Sequence, residues 1–119
     1  MTWTIRLPFQ NPPLSLNRRL HWAREASLKQ DLKHAAFVYV KQAKVPHLER
    51  AVITLHWVPR DNRRRDTDNP YPTIKSLIDG IVKAGVLKDD SSDYVQSSIV
   101  IDKPNKADPH LYLTIEEVS

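Results

Sequence analysis

Apolar and polar residues alternate singly from Thr2 to Phe9, with Trp3, Ile5, Leu7 and Phe9 on one side and Thr2, Thr4 and Arg6 on the other. A period of two is that of a half-buried strand, and Pro8 with Pro12-Pro13 ends it. From about Arg18 the period lengthens. Leu28, Leu32, Ala35, Ala36, Tyr39 and Ala43 recur at three- and four-residue steps, which predicts a long amphipathic helix to about Lys44 with Asn17 as N-cap and Pro46 as stop. Ala51 to Val58 alternates again, setting Ile53, Leu55 and Trp57 opposite Val52, Thr54 and His56, so a second strand is expected there.

After Pro70-Tyr71-Pro72, the stripe Ile74, Leu77, Ile78, Ile81, Val82 has the i, i+3, i+4, i+7, i+8 spacing of a helix face. Thr73 is the expected cap and Gly85 the expected residue just past the end. Gly80 within this helix costs roughly 1 kcal/mol relative to Ala, a cost that either reflects close packing or is simply tolerated. Tyr94 to Ile101 and Leu111 to Val118 both alternate, and the turn-rich stretch Asp102 to Pro109 between them predicts an antiparallel hairpin. The order β-α-β-α-β-β, without repeat, low-complexity tract or long linker, predicts a single two-layer α+β domain over residues 1–119. Two helices and a mixed four-stranded sheet are its expected parts.

Composition narrows the chemistry. No stretch approaches the roughly 20 apolar residues that span a bilayer, so no membrane role is expected. Met1 to Phe9 lacks the basic start, apolar middle and small-residue cleavage site of a secretory signal, and an intracellular, cytoplasmic protein is the expectation. The absence of cysteine excludes disulfides, thiolate metal sites and a Cys nucleophile. Eighteen Lys and Arg against fourteen Asp and Glu give a net charge of +4, which favours a polyanionic partner only mildly. Clustering matters more: Arg18, Arg19, Arg24, Lys29 and Lys33 lie close together, as do Arg60 and Arg63 to Arg65.

The second basic cluster runs into carboxylates, Arg63-Arg64-Arg65-Asp66-Thr67-Asp68-Asn69, and Asp89-Asp90 follows further along. On an extended backbone Asp66 and Asp68 would point to one face. If the following strands are neighbouring and antiparallel, Asp89 and Asp90 join them, and three carboxylates in one small volume call for a hard cation, Mg²⁺ or Mn²⁺. Each half taken singly is also what turns and helix caps use. Lys75 and Asp79 are spaced as an i, i+4 ion pair on a helix surface. Lys75 lies about 100° around the helix from Ile74, at the border of the buried stripe. Asp31-Leu32-Lys33 imitates the tail of a restriction-type nuclease motif, but no aspartate precedes Asp31, and the polar face of a helix accounts for it. The five histidines, at 21, 34, 47, 56 and 110, show no paired metal spacing and read as surface or packing residues.

The run Arg63 to Asn69, then Lys75, Asp79, Gly85 and Leu87-Lys88-Asp89-Asp90, resembles the signature of RusA-type Holliday-junction resolvases. The likeness is motif-level from about Arg60 to Val95 and extends to element order over nearly the whole chain. It implies a RusA-like, homodimeric, Mg²⁺-dependent endonuclease that makes paired symmetric cuts in four-way DNA junctions during recombination and repair. It further implies Asp66, Asp68 and Asp90 as catalytic, metal-binding carboxylates, Lys75 as the catalytic lysine, and Asp79 and Asp89 in supporting positions. Arg18, Arg19, Arg24 and Arg63 to Arg65 would hold backbone phosphates, and Tyr71 would stack on an unpaired base. Pro70-Tyr71-Pro72 is three residues longer than the family pattern and stands between the aspartate pair and Lys75. A non-catalytic branched-DNA-binding module and a nuclease for other branched DNA are the alternatives.

Overall fold

The computed structural model describes residues 1–118. Its elements are β1 (Thr2–Arg6), α1 (Trp22–Gln42), β2 (Ala51–Val58), α2 (Tyr71–Lys83), β3 (Val95–Ile101) and β4 (His110–Glu117). The expected α+β class, element order and mixed four-stranded sheet are therefore observed, with sheet order β1-β4-β2-β3. The helices lie on one face of the sheet. Leu32, Ala36 and Val40 of α1 and Ile74, Leu77, Ile78 and Ile81 of α2 form one core with Ile53, Leu55, Leu113 and Ile115 from the sheet. Burial of each such Leu, Ile or Val side chain contributes roughly 1.5 to 3 kcal/mol.

The expected hairpin is not formed. β3 pairs in parallel with β2, and β4 lies between β1 and β2, antiparallel to both. Parallel neighbours need a long crossover, and the segment from β2 through α2 to β3 supplies it. The stretch Asp102 to Pro109 then passes over the end of β2, where Asp102 N–H donates to Trp57 O at 2.8 Å and Asn105 N–H to Pro59 O at 2.8 Å. Sequence composition carries the physical reason. β4 buries Leu111, Leu113 and Ile115 completely and suits a central strand, whereas Gln96-Ser97-Ser98 of β3 are exposed and suit an edge.

Two helix starts differ from expectation. α1 begins at Trp22, and its N-cap is His21, whose Nδ1 accepts from Ala23 N–H at 3.2 Å; the hydroxyl of Ser15 donates to Asn17 instead. The segment before it is occupied otherwise, because Leu14 is buried and holds the loop down. α2 starts earlier than expected, at Tyr71, with Pro70 in the cap position and Pro72 in the first turn, where a missing N–H costs nothing. Thr73 is thereby a helical residue, completely buried. Its hydroxyl donates to Leu14 O at 2.7 Å and accepts from Leu14 N–H at 3.0 Å, stitching the N-terminal loop to α2. Thr73→Val keeps the shape and strands both Leu14 groups, so urea unfolding is expected to show a loss of about 2 kcal/mol; a loss under about 0.5 kcal/mol would mean the stitch is replaced by water.

Gly80 stands where α1 and α2 meet: a Cβ there would come within 2.2 Å of Lys33 O and 3.0 Å of Ala36 Cβ. Close packing, not tolerance, explains this glycine. Gly85, with φ of 88°, takes the left-handed conformation that ends α2, as expected.

Candidate functional site

The Asp66 to Asn69 segment forms a turn rather than an extended run. Asp68 N–H donates to Asp66 Oδ1 at 3.0 Å, Asn69 N–H to Asp66 O at 3.2 Å, and Tyr71 N–H to Asp68 O at 3.1 Å, which leads directly into α2. Both carboxylates are exposed. Pro70-Tyr71-Pro72 is consequently no spacer loop. It is the cap and first turn of the helix that carries Lys75, so the lysine stands about 6 Å along the axis from Tyr71.

Lys75 and Asp90 meet. The ammonium of Lys75 contacts Asp90 Oδ2 and donates to Asp79 Oδ1 at 3.2 Å, while Asp90 N–H donates to Asp89 Oδ1 at 2.8 Å. The hydrogen bond with Asp90 raises the Lys75 pKa above its ordinary value, and the same bond holds the Asp90 carboxyl below the usual range. Lys75 is thus a permanent cation near neutral pH, set between two carboxylates.

This charge pair gives a pH-dependent share of stability. Asp90's value is depressed on folding, so its share is present above the ordinary carboxylate range and lost as pH falls through the folded value. Lys75's value is raised, so its share is present below the ordinary lysine range and lost as pH rises through the folded value; both are present between roughly pH 5 and 9. The side chains are 44% and 34% exposed, and water screens the pair to about 1 kcal/mol or less. Lys75→Met should lower stability by that amount at pH 7 and flatten the acid limb of urea melts between about pH 5 and 2. An acid limb identical to that of the unaltered protein would show the pair to be energetically silent.

The expected gathering of three carboxylates is not observed: among the described residues, no three His, Cys, Asp or Glu side chains form a group that could hold a metal ion. Parallel pairing is the cause. Val95 at the start of β3 faces Ala51 at the start of β2, while Asp66 and Asp68 follow β2's other end. The Asp89-Asp90 loop meets α2 at Lys75. The donor type nevertheless suits a hard cation, since Asp66 and Asp68 offer exposed oxygen ligands two residues apart, and Mg²⁺ is commonly held by one or two carboxylates with water.

The basic cluster divides. Arg65 is a strut: its guanidinium donates to Asp61 O, Arg63 O and Asp61 Oδ1, each at 2.8 Å, and lies 5.0 Å from the centre of the Trp57 ring. Its side chain is only 16% exposed, against 79% for Arg63, which reaches Asp61 Oδ2 at 3.4 Å. Arg65 holds the Asp61 carboxyl below the usual range by hydrogen bonding. Arg64, Arg18, Arg19 and Arg24 are exposed. A cleft lies between the N-terminal loop and the Arg63 to Pro70 segment, with Arg18, Trp57, Arg63, Arg64 and Asp66 in its lining.

Sequence reasoning missed one titratable cluster, on the sheet face away from the helices. His56 stacks on Tyr112 with ring centres 4.3 Å apart; its Nδ1 lies 3.5 Å from Asp102 Oδ1 and its Nε2 3.2 Å from Thr114 Oγ1. Tyr112 donates to Asp102 at 2.7 Å, a bond that with burial pushes the phenol up to about 12. Even-numbered polar residues on β2 and β4 were the available signal, but only the register of the two strands reveals that His56 faces Tyr112. No known family model matches the chain, and no curated protein is significantly similar to it. Among the described residues, no helix is long and apolar enough to cross a membrane.

Proposed function

We propose that the chain is a structure-selective, Mg²⁺-dependent endodeoxyribonuclease of the RusA kind, cutting four-way DNA junctions in pairs as a homodimer. One observation carries the reading: Lys75, in the second turn of the helix that begins right after Asp66-Thr67-Asp68, is held charged between Asp79 and Asp90. Lys75, Asp79 and Asp90 are residues the resemblance picks out, and their contact supports the reading.

Asp66 and Asp68 are the residues that would hold the cation. When bound, a hard divalent ion there supplies acidified water and charge stabilisation on phosphoryl oxygens. Lys75, being protonated, acts as a fixed positive charge against the developing negative charge of phosphoryl transfer rather than as a base. Asp79 and Asp90 orient its ammonium, and Asp90 meets Lys75 through Oδ2 alone, which leaves its second carboxylate oxygen as an acceptor. Exposed Arg18, Arg19, Arg24, Arg63 and Arg64 hold backbone phosphates, which makes affinity fall steeply with salt. A two-fold dimer matches the symmetry of the junction and delivers two cuts in one encounter.

The test is incubation of purified protein with labelled four-way junction, flap and plain duplex, with and without Mg²⁺. Symmetric Mg²⁺-dependent nicks confined to the junction are expected. Equal cleavage of duplex would sink the reading, and cleavage of flaps alone would shift it to other branched DNA. The engagement of Asp90 by Lys75 favours a second reading, a non-catalytic branched-DNA-binding module. That reading requires tight junction binding with no cutting at any Mg²⁺ concentration.

A further inference from the structure

The cleft beside the aspartate turn has a volume of about 980 Å³, within the range that ligand sites occupy. Its walls differ in chemistry. One, from the Arg63 to Pro70 segment, is cationic with Arg63 and Arg64, and Arg18 adds a cation from the other side; among the described residues no ion pair engages Arg18 or Arg64. The opposite wall, from the N-terminal loop, carries Asn11, Ser15 and Asn17. The hydroxyl of Ser15 donates to the Asn17 carbonyl oxygen, leaving the Asn17 NH₂ free to donate outward.

Trp57 contributes to the lining between them, with the Arg65 guanidinium 5.0 Å from the centre of its ring. Asp66 is part of the same lining. The cleft thus offers cations for a phosphate, amides for a base edge, the Trp57 ring for apolar contact, and a carboxylate of the proposed cutting site beside them.

We propose that this cleft seats one unpaired nucleotide, its base against Trp57 and the Asn11 to Asn17 wall and its phosphate against Arg18, Arg63 and Arg64. This rests on the proposed DNA-cleaving function and deepens it. A base paired and stacked in duplex cannot enter a cleft of this kind, whereas the crossover of a branched DNA presents bases that are easily unstacked. Selection of branched over plain DNA, and any base preference at the cut, then come from the same contacts. Arg65 serves the cleft indirectly, as a positioning residue that braces the Arg63 to Asp66 backbone.

The test is fluorescence anisotropy in EDTA, which prevents cutting, with three probes: an intact four-way junction, the same junction with abasic sites at its crossover, and blunt duplex. Free deoxynucleoside monophosphates serve as competitors. The intact junction should bind about 10-fold more tightly than the abasic one, as one or two base hydrogen bonds are worth. Trp57→Ala and Asn17→Ala should each erase most of that preference while leaving duplex affinity unchanged. Asn17 is exposed on a loop, so its variant reports even if the Trp57 change disturbs packing.

Equal affinity for intact and abasic junctions, or a preference that survives both substitutions, would overturn the cleft assignment while leaving junction recognition standing. Micromolar binding of a free monophosphate without any junction preference would overturn the DNA-borne source of the nucleotide. Failure to bind any DNA would remove the proposed function together with the cleft.

Discussion

Asp68→Asn is expected to reduce Mg²⁺-dependent junction cleavage by more than about 100-fold, the scale on which a single group that stabilises transition-state charge is felt. Junction binding should survive or tighten. The reason lies in the position of Asp68. It is exposed in a turn whose hydrogen bonds are made by backbone groups and by Asp66, so the loss of its charge leaves the turn intact and relieves repulsion with an approaching phosphate. Asp90→Asn separates two roles. If Asp90 acts only by orienting Lys75, its loss should cost less than that of Asp68 and no more than Lys75→Met, because Asp79 still holds the ammonium. If Asp90 completes a metal seat, its effect should equal that of Asp68. Gel analysis of cleavage rates alongside anisotropy binding decides between them, and wild-type cleavage by Asp68→Asn would refute the site altogether.

Gly80→Ala is the second large effect. In an ordinary helix this change stabilises by roughly 1 kcal/mol, because Ala has the better propensity. Here the new Cβ would stand 2.2 Å from the Lys33 carbonyl oxygen, a backbone atom that cannot rotate away, and 3.0 Å from Ala36 Cβ. The helices must separate, and Leu32, Ala36, Leu77 and Ile81, all completely buried, lose contact around the point of approach. Overpacking of this kind costs about 3 kcal/mol, so a net loss near 2 kcal/mol and a fall in Tm of about 10 °C are expected by calorimetry. Gly85→Ala is the comparison. Nothing lies within 4 Å of its Cβ position, and only the φ of 88° opposes the substitution, for about 1 kcal/mol. A Gly80 variant no less stable than the Gly85 variant would mean that the helices adjust more freely than their packing indicates.

Such contrasts show what kinds of information lay in the chain. The period-two runs gave the limits of β2 as observed, those of β3 and β4 to within a residue, and the start of β1, which ends at Arg6 and not at Phe9; alternation over a half-buried surface is a local property. The Ile74 to Val82 stripe gave α2 for the same reason. Caps were read less well. Asn17 and Thr73 have the right chemistry, but His21 and Pro70 hold those positions because Leu14 is pulled into the core and Thr73 is spent on fastening it. The arginine run was legible as charge, yet Asp61 turns Arg65 inward and leaves Arg64 exposed, a division set by backbone geometry.

The sequence by itself determined the α+β class, the order of elements, the apolar faces and the clusters of carboxylates and arginines, since each depends on residue type and short-range spacing. Tertiary structure alone decided that β3 runs parallel to β2 and that β4 sits between β1 and β2. That arrangement brings Asp90 to Lys75 and leaves Asp66 and Asp68 in a turn of their own. The physical reason is that strand pairing is a competition for burial over the whole core. A fully apolar strand takes the centre, a polar one is left at the edge, and the loops between them go where the winning order sends them.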